Sequence, residues 1–331
     1  MHHAGIDLHK RDLTVTVAND HGAIGGAKRM MCRETGRIEE YFRGLRPFEA
    51  VIEASSSYRW LYDLLSPMGR VVVAHPLKLR AIVAGRAKTD KLDSAMLAKL
   101  LWMGMIPESY VPPKRYAELR QYVRARARLV CAATTAKVGL QALLARVNVH
   151  SPHRTVFSKA GRRWIAGLDL GFVTNVERDE LLGRLGHYDE ELGRLDSLMA
   201  PMTEAFPEVE ALTELHGVGL YTALLIVAEL GEVERFPDAR RVGAYAGLTA
   251  RVHQSGPHAY HGHITRQGSR WLRWALVQAA MKLVRRDPKL KNFYTRIRKR
   301  SGRHVARVAA ARKLAGISWV RLRRWHRQHA A

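Results

Sequence analysis

The sequence predicts a mixed α/β domain followed by two helical regions, and three observations carry that reading. Strand-like alternation opens the chain and gives way to strands separated by helices, the pattern of a mixed sheet covered by helices. Three prolines, Pro107, Pro112 and Pro113, then interrupt the pattern and mark a boundary. Beyond them apolar residues recur at three-and-four spacing over long runs, which is helical periodicity. The domains expected are 1–111, 112–206 and 207–331, the last beginning at Pro207, where the character of the chain changes again.

Composition narrows the class of partner. A chain of 331 residues that is 47% hydrophobic has enough apolar material for two or three folded cores. Lys+Arg of 55 against Asp+Glu of 30 gives a formal charge of +25, so the surface attracts polyanions over a long range. Nucleic acid is the first candidate and a membrane surface the second. No run approaches the roughly eighteen apolar residues of a transmembrane helix, and the N-terminus does not read as a secretory signal. The longest apolar stretch, 220–230, has the length of a core helix. Cys32 and Cys131 are too few for a disulfide framework or a cysteine zinc site, which fits a reducing cytoplasm.

Residues 4–8 and 13–18 alternate around a short polar turn and 23–29 reads as a third strand, so the first domain opens as an antiparallel meander. There follow a helix around 37–44, an apolar strand at 50–52 ending in Glu53, a helix near 60–65, a strand at 70–74 and a short helix at 77–84. Asp7 stands inside the first strand, between Ile6 and Leu8. A buried carboxylate without a partner is costly, so its face is expected to open onto a site.

Asp90 and Asp93 lie within Lys88-Thr89-Asp90-Lys91-Leu92-Asp93-Ser94, at the start of a helix through Ala95, Met96, Leu97, Leu100 and Leu101. Residues three apart project from one helix face. Two carboxylates held that close resist full ionisation unless something positive lies between them, here Lys88 and Lys91 or a divalent metal. Alone, the pair reads as solvated first-turn acids favoured by the helix dipole. The wider order alters that balance. Asp7 on the first strand, Glu53 at a later strand's end and Asp90/Asp93 on a following helix is the order in which ribonuclease-H-like folds assemble an acidic site. Four carboxylates there suit a pair of Mg²⁺ or Mn²⁺ ions about 3.5–4 Å apart, which would activate the attacking oxygen and stabilise the leaving oxygen of a phosphodiester.

In the middle region Leu119, Tyr122, Leu129, Ala133, Ala136, Leu140, Leu143 and Val147 keep helical spacing, with Arg126 the polar intruder. Leu181, Leu185, Tyr188, Leu192, Leu195, Met199 and Met202 alternate four and three without a break. A coiled-coil hairpin is expected, within one subunit or between two. Residues 148–171 read as its irregular connection, where Arg154, Lys159, Arg162 and Arg163 are either phosphate contacts or solvated charge.

After Pro207, Leu215-His216-Gly217-Val218-Gly219 before the apolar helix 220–230 reads as the glycine turn of a helix-hairpin-helix element, whose close-approaching N–H groups can hold a phosphate. Two glycines between helices also make an ordinary turn. The segment 248–257 is polar and glycine-punctuated, and the histidines at 253, 258, 261 and 263 match no structural zinc spacing. A helix at 271–284 and a dense basic region at 289–327, with apolar residues interleaved, read as helices that back a phosphate-binding surface.

Several of these pieces together resemble the IS110-family transposases, also called DEDD recombinases: Gly5-Ile6-Asp7-Leu8-His9-Lys10, the strand ending at Glu53, Lys88-Thr89-Asp90-Lys91-Leu92-Asp93, Gly217-Val218-Gly219 with Ala228-Glu229-Leu230-Gly231, Tyr245-Ala246-Gly247-Leu248, and Gln254-Ser255-Gly256. The resemblance implies a RuvC-like, ribonuclease-H-like N-terminal domain, a coiled-coil middle and a mostly helical C-terminal transposase domain. It places Asp7, Glu53, Asp90 and Asp93 as metal-binding acids and Ser255 as a nucleophilic serine. Where relatives often have Ile-Ser-Lys, this chain has Ile264-Thr265-Arg266, which keeps a hydroxyl and a charge. Lys88, Lys91, Gly217, Val218, Gly219, Arg266 and Arg270 are the expected nucleic-acid contacts. The implied partners are double-stranded target and donor DNA and a structured noncoding bridge RNA that pairs with both. Recombination joins ends from two DNAs, so a homodimer at least, and a homotetramer on DNA, is expected. The alternative is a RuvC-like junction resolvase that hydrolyses DNA, which needs the four acids but not Ser255. A non-catalytic nucleic-acid-binding protein would leave the acids as helix caps, a role that Asp7 in an apolar strand does not have.

Overall fold

β1 (His2–Leu8) is buried through its centre and β2 (Asp12–Ala18) along most of its length in the computed structural model, which describes residues 1–55, 57–83, 94–255 and 258–329. Side chains two apart on a strand share a face. Ala4, Ile6, Leu13 and Val15 therefore point together, into a core with Ile38 and Phe42 of α1 (Thr35–Gly44). β3 (Lys28–Met31) begins later than the expected 23–29, and Ile24 makes only an isolated bridge to Ala18. β4 (Phe48–Glu53), α2 (Tyr58–Leu65) and β5 (Arg70–Ala74) follow, and Leu61 and Leu65 of α2 close the same core. The opposite face carries α3 (Pro76–Val83) and α4 (Ser94–Trp102), where Val51, Val72 and Ala74 meet Leu79, Leu97, Leu100 and Leu101.

The sheet order is β3-β2-β1-β4-β5. β1, β2 and β3 pair antiparallel, while β1 with β4 and β4 with β5 pair parallel. The hairpin opening and the later crossovers are thus joined at β1, which is central and covered on both faces. Gly5 permits that coverage. A Cβ there would come closer than 3.0 Å to the Ser94 carbonyl oxygen and the Ala98 amide nitrogen, so α4 lies against bare backbone. Ser94 and Thr16, both buried, satisfy each other through a 2.7 Å hydroxyl hydrogen bond at this contact.

Contacts along the chain separate this unit, Met1–Val111, from a second, Pro112–Ala331. In the second, α5 (Lys114–Arg146), α6 (Lys159–Ala166) and α7 (Phe172–Ser197) form a helical hairpin with a small helix packed at its far end. Tyr122 donates to the Leu195 carbonyl, Arg126 pairs with Asp196 and Arg146 with Glu177, so α5 and α7 run antiparallel. Ala133, Ala136, Leu140, Leu143, Leu144, Ile165 and Leu185 fill the space between.

Two expectations are corrected here. The connection 148–171 is not wholly irregular, because Ser158 caps α6 by accepting from Gly161 N and Ile165 buries its side chain. Arg162 on α6 pairs with Asp189 and donates to the Phe157 carbonyl, so it serves the hairpin and is not held out for phosphate. Nor is the 181–202 seam one continuous stripe. α7 ends at Ser197, and α8 (Met199–Ala205) starts a new run. Leu185 is 0% exposed within the single chain, and Leu195, Met199 and Met202 pack against a different core.

That other core belongs to the C-terminal elements. It gathers a 3₁₀ turn at Pro207–Val209, α9 (Glu210–Thr213), α10 (Leu220–Leu230), α11 (Ala239–Tyr245), the strands β6 (Ala250–Ser255) and β7 (His258–Ile264) at its side, α12 (Arg270–Leu283) and α13 (Pro288–His329). The first turns of α5, through Tyr116, Leu119, Tyr122 and Val123, belong to it as well. α13 is two helical runs meeting at Gly302, whose φ of 84° interrupts the helix.

Gly5→Ala should force α4 off the sheet. Overpacking of this kind costs about 1–3 kcal/mol, and the urea midpoint of the full chain should fall while the Asp7 strand loses its protection from hydrogen exchange. An unchanged midpoint would show that α4 is not seated on Gly5.

Candidate active site

β1 and β4 are parallel neighbours with Ile6 opposite Ile52, and one further step along each strand reaches Asp7 and Glu53. Both acids therefore stand side by side at the C-terminal edge of the sheet's centre. Alternation puts Asp7 on the face of Gly5 and Glu53 on the face of Val51, the face that α4 covers. The Asp7 side chain is 29% exposed, so its face opens to solvent. His9 Nε2 lies 3.1 Å from Asp7 Oδ2, a partner the sequence reading did not single out although the two are only two residues apart. A backbone bond from His9 N to the Asp12 carbonyl holds the turn that brings it back.

The electrostatics of these two acids differ from those of their neighbours. Asp12, Glu34, Glu39, Glu49, Asp63 and Glu108 of the same unit each pair with an arginine. Among the described residues, Asp7 has only His9 and Glu53 has no ion pair. In a chain with 55 Lys and Arg, two adjacent carboxylates without arginine leave room for another cation. Carboxylate oxygens are hard donors that suit Mg²⁺ or Mn²⁺, so the donor chemistry fits such an ion. Two acids alone are an incomplete site, and among the described residues no group of three or more His, Cys, Asp or Glu is close enough to hold a metal. Asp90 and Asp93, with Lys88 and Lys91, lie outside the described residues. The residue that follows them, Ser94, is the first of α4 and rests on Gly5.

The other expected site residues are in the second unit. Ser255 is the last residue of β6, paired across the hairpin with His258, and His253 pairs with Tyr260. The hairpin itself was not foreseen, because its residues are polar and lack the apolar alternation that marks a strand. Ala250 pairs with Ile264 at its base, so Ser255 and Arg266 stand at opposite ends of a ladder six residues long, whose five steps span about 17 Å at the usual strand rise. Arg266 adopts φ of 53°, rare for a side chain other than Gly or Asn. Burial, and then the nearby Arg266, lower the pKa of the Arg273 guanidinium, which donates to the Ala246 carbonyl at 3.0 Å. Arg270 is the first, exposed residue of α12, stacked over Trp271 at 4.5 Å.

The glycine turn before α10 has a packing role. Gly217 has φ of 87° and its missing Cβ leaves room for Lys282 of α12, while Val218 is buried and Gly219 caps α10. The helix before the turn, α9, is a single turn.

Charge is distributed unevenly. Residues 239–331 hold 23 Lys and Arg and one acid, Asp287, so 22 of the chain's 25 excess charges fall in that stretch.

Two family profiles match the chain. One, described as a transposase of the DEDD IS110 type, matches residues 4–149, and the other, described as the transposase IS116/IS110/IS902 family, matches residues 209–295. The chain belongs to the IS110 family of transposases. It is similar to a probable family 20 transposase of Pseudomonas aeruginosa, 24% identical over 97% of this chain and 96% of that protein. The transposase for insertion sequence element IS1111A of Coxiella burnetii is 31% identical over 46% of this chain and 42% of its own. A pilin gene-inverting protein of Moraxella bovis is 24% identical over 86% of this chain and 83% of its own.

As a transposase the protein is an enzyme that cleaves and rejoins DNA strands, and a DEDD domain implies a divalent metal. The transposase carries Ala228-Glu229-Leu230-Gly231 at the end of α10, and the structure explains its acid. Glu229 is 1% exposed and takes a two-pronged pair from Arg124, Nε to Oε1 at 2.7 Å and Nη2 to Oε2 at 2.9 Å. Arg120, one turn earlier, donates to the Ala228 and Glu229 carbonyls. These arginines of α5 hold the C-terminal end of α10. Arg124→Ala strands a buried carboxylate and should cost about 3–5 kcal/mol, seen as a lower melting temperature at neutral pH. Melting like the parent chain would mean that Glu229 has another compensating partner.

Proposed function

We propose that the protein is a site-specific DNA recombinase of an insertion sequence, cutting and rejoining strands through a covalent serine intermediate with a divalent-metal acid site. The carrying observation is the pair Asp7 and Glu53, adjacent at the ends of two parallel strands on the face where α4 begins. Sheet order β3-β2-β1-β4-β5 with a hairpin first and crossovers after supports a ribonuclease-H-like, RuvC-like unit. Asp90 and Asp93 directly precede Ser94 in sequence, and the proposal completes the quartet with them. A divalent cation, when bound, supplies charge stabilisation at the phosphate. Asp7 and Glu53 bind it, and His9 orients the Asp7 carboxylate through their 3.1 Å contact.

Ser255 is the nucleophile of this reading. Its hydroxyl oxygen bonds to phosphorus as the phosphodiester bond to the leaving strand breaks, the serine proton passes to a base and the leaving oxygen gains a proton. The phosphoserine keeps the bond energy, so attack by a new strand's hydroxyl releases Ser255 and seals the DNA without ATP. His253, two residues earlier on β6, is closer along the hairpin than Arg266 and is the base we favour. A relative named for inverting a pilin gene supports rejoining over release of free ends. The C-terminal charge excess supports double-stranded DNA and a noncoding bridge RNA as partners, with Arg266, Arg270 and the Gly217–Gly219 turn, as the turn of a helix-hairpin-helix type element, contacting nucleic-acid phosphates. Lys88 and Lys91 are proposed contacts beside the acids. The α5/α7 hairpin is proposed as a coiled coil, and the working form on DNA as a homotetramer built from dimers.

Asp7→Asn and Glu53→Gln should each bind DNA as the parent does and lose strand cleavage by at least about a hundredfold. Cleavage by either variant in Mg²⁺ would remove the acid site from the mechanism. Trapping on a nicked or mismatched substrate, followed by denaturation, should give a protein-DNA band that Ser255→Ala lacks. A band surviving in Ser255→Ala, or a parent chain releasing free ends without one, would favour hydrolytic junction resolution.

A further inference from the structure

We infer that Trp274 is a stacking platform for an unpaired nucleobase of single-stranded DNA or RNA. The inference rests on the C-terminal unit being a nucleic-acid surface, and not on Ser255 or the acid site. Trp274 is 45% exposed, between Leu272, Ala275 and Leu276, which are all buried. Its indole is thus turned away from the core that α12 otherwise builds. Among the described residues no hydrogen bond or ring contact is made by it.

The row in which it stands favours a nucleotide. Steps of four along a helix put Arg270, Trp274, Gln278 and Lys282 on one stripe, and all four are exposed. Arg270, held over Trp271 at 4.5 Å, keeps a guanidinium one turn from the indole on one side, and Lys282 supplies an ammonium two turns away on the other. No acid lies between Ala239 and Asp287, so nothing on this stretch competes for those cations. A protein partner would want apolar neighbours around an exposed tryptophan; Trp271 and Val277, three residues away on either side, are partly buried against the core, and the exposed neighbours in the row are charged or an amide. Cations spaced along a strand with an aromatic face between them match a sugar-phosphate backbone with its base turned inward. A duplex keeps its base faces stacked on each other and offers only edges and phosphates. Trp274 therefore distinguishes unpaired strands, the form DNA passes through when strands are cut and exchanged.

The test uses the full chain, with fluorescence anisotropy of end-labelled single-stranded DNA, RNA of the same sequence, and the corresponding duplex. Trp274→Ala should weaken single-strand binding about 5- to 100-fold, the range for loss of one base stack, and leave duplex binding within about twofold. Trp274→Phe should recover most of the loss, and Trp274→Leu, apolar without a ring, should not. Loss on both single strands assigns the platform to any unpaired base, and loss on one assigns it to that strand. The inference fails if Trp274→Ala binds single strands as the parent does, if Leu serves as well as Phe, or if duplex binding falls equally. A parent chain that binds none of the three would overturn the nucleic-acid surface as well. Matching melting curves for the variants exclude misfolding as the cause.

Discussion

The seat of α4 on β1 is the contact on which the N-terminal unit depends, because one missing side chain makes it possible. The central strand must be covered on both faces to be stable, yet the same strand carries Asp7, which has to meet solvent. Gly5 resolves this over two residues. At Gly5 the helix touches backbone, and at Asp7 the face is already open. The contact also fixes where the chain re-enters after residue 93, since Ser94 is locked to Thr16 by a buried hydroxyl pair. A larger residue at position 5 would displace the start of α4.

The second unit is organised by arginine. Arg120 and Arg124 tie α5 to the end of α10, Arg126 joins Asp196 while lying 4.4 Å from the centre of the Tyr221 ring, and Arg115 reaches Glu208. Burial raises the Tyr221 phenol to about 12, so its hydroxyl stays a donor, to the Val123 carbonyl at 2.7 Å. These arginines face acids or carbonyls and are structural. Among those of α12 and α13, Arg273 donates to the Ala246 carbonyl and Arg321 pairs with Glu214, while most of the others have no acid near them in sequence and are exposed. One residue type thus has two uses, divided by the distribution of Asp and Glu along the chain.

Much of this was legible beforehand, for definite reasons. β1, β2, β4 and β5 alternate or run apolar, so their existence followed from side-chain periodicity, and Asp7 stood out because it broke that periodicity. The neighbourhood of Asp7 and Glu53 was legible as order but not as distance, since parallel pairing across 46 residues is a tertiary fact. The β6/β7 hairpin was missed because its strands are polar and rich in His, and no apolar alternation of period two is sustained along them. α6 was missed because eight residues carry too little periodicity to separate from a loop. The 181–202 stripe misled in the other direction. Its spacing is regular, but its two halves serve different cores on either side of Leu198, and sequence spacing cannot show which partner a side chain meets. Arg126, the intruder in an apolar stripe, was a real signal: it marks where the hairpin needs an ion pair with Asp196.

The charge excess of the last 93 residues also bears on the unit's own persistence. The 22 excess positive charges of residues 239–331 repel one another even though some, such as Arg321 with Glu214, meet acids from earlier in the unit, and that repulsion opposes compactness in the absence of counter-charge. A bound polyanion removes it, and because the folded form presents those charges as a surface, the polyanion prefers it to the unfolded chain. Folding and loading are therefore coupled equilibria. Chains without nucleic acid sit nearer to unfolding than loaded ones.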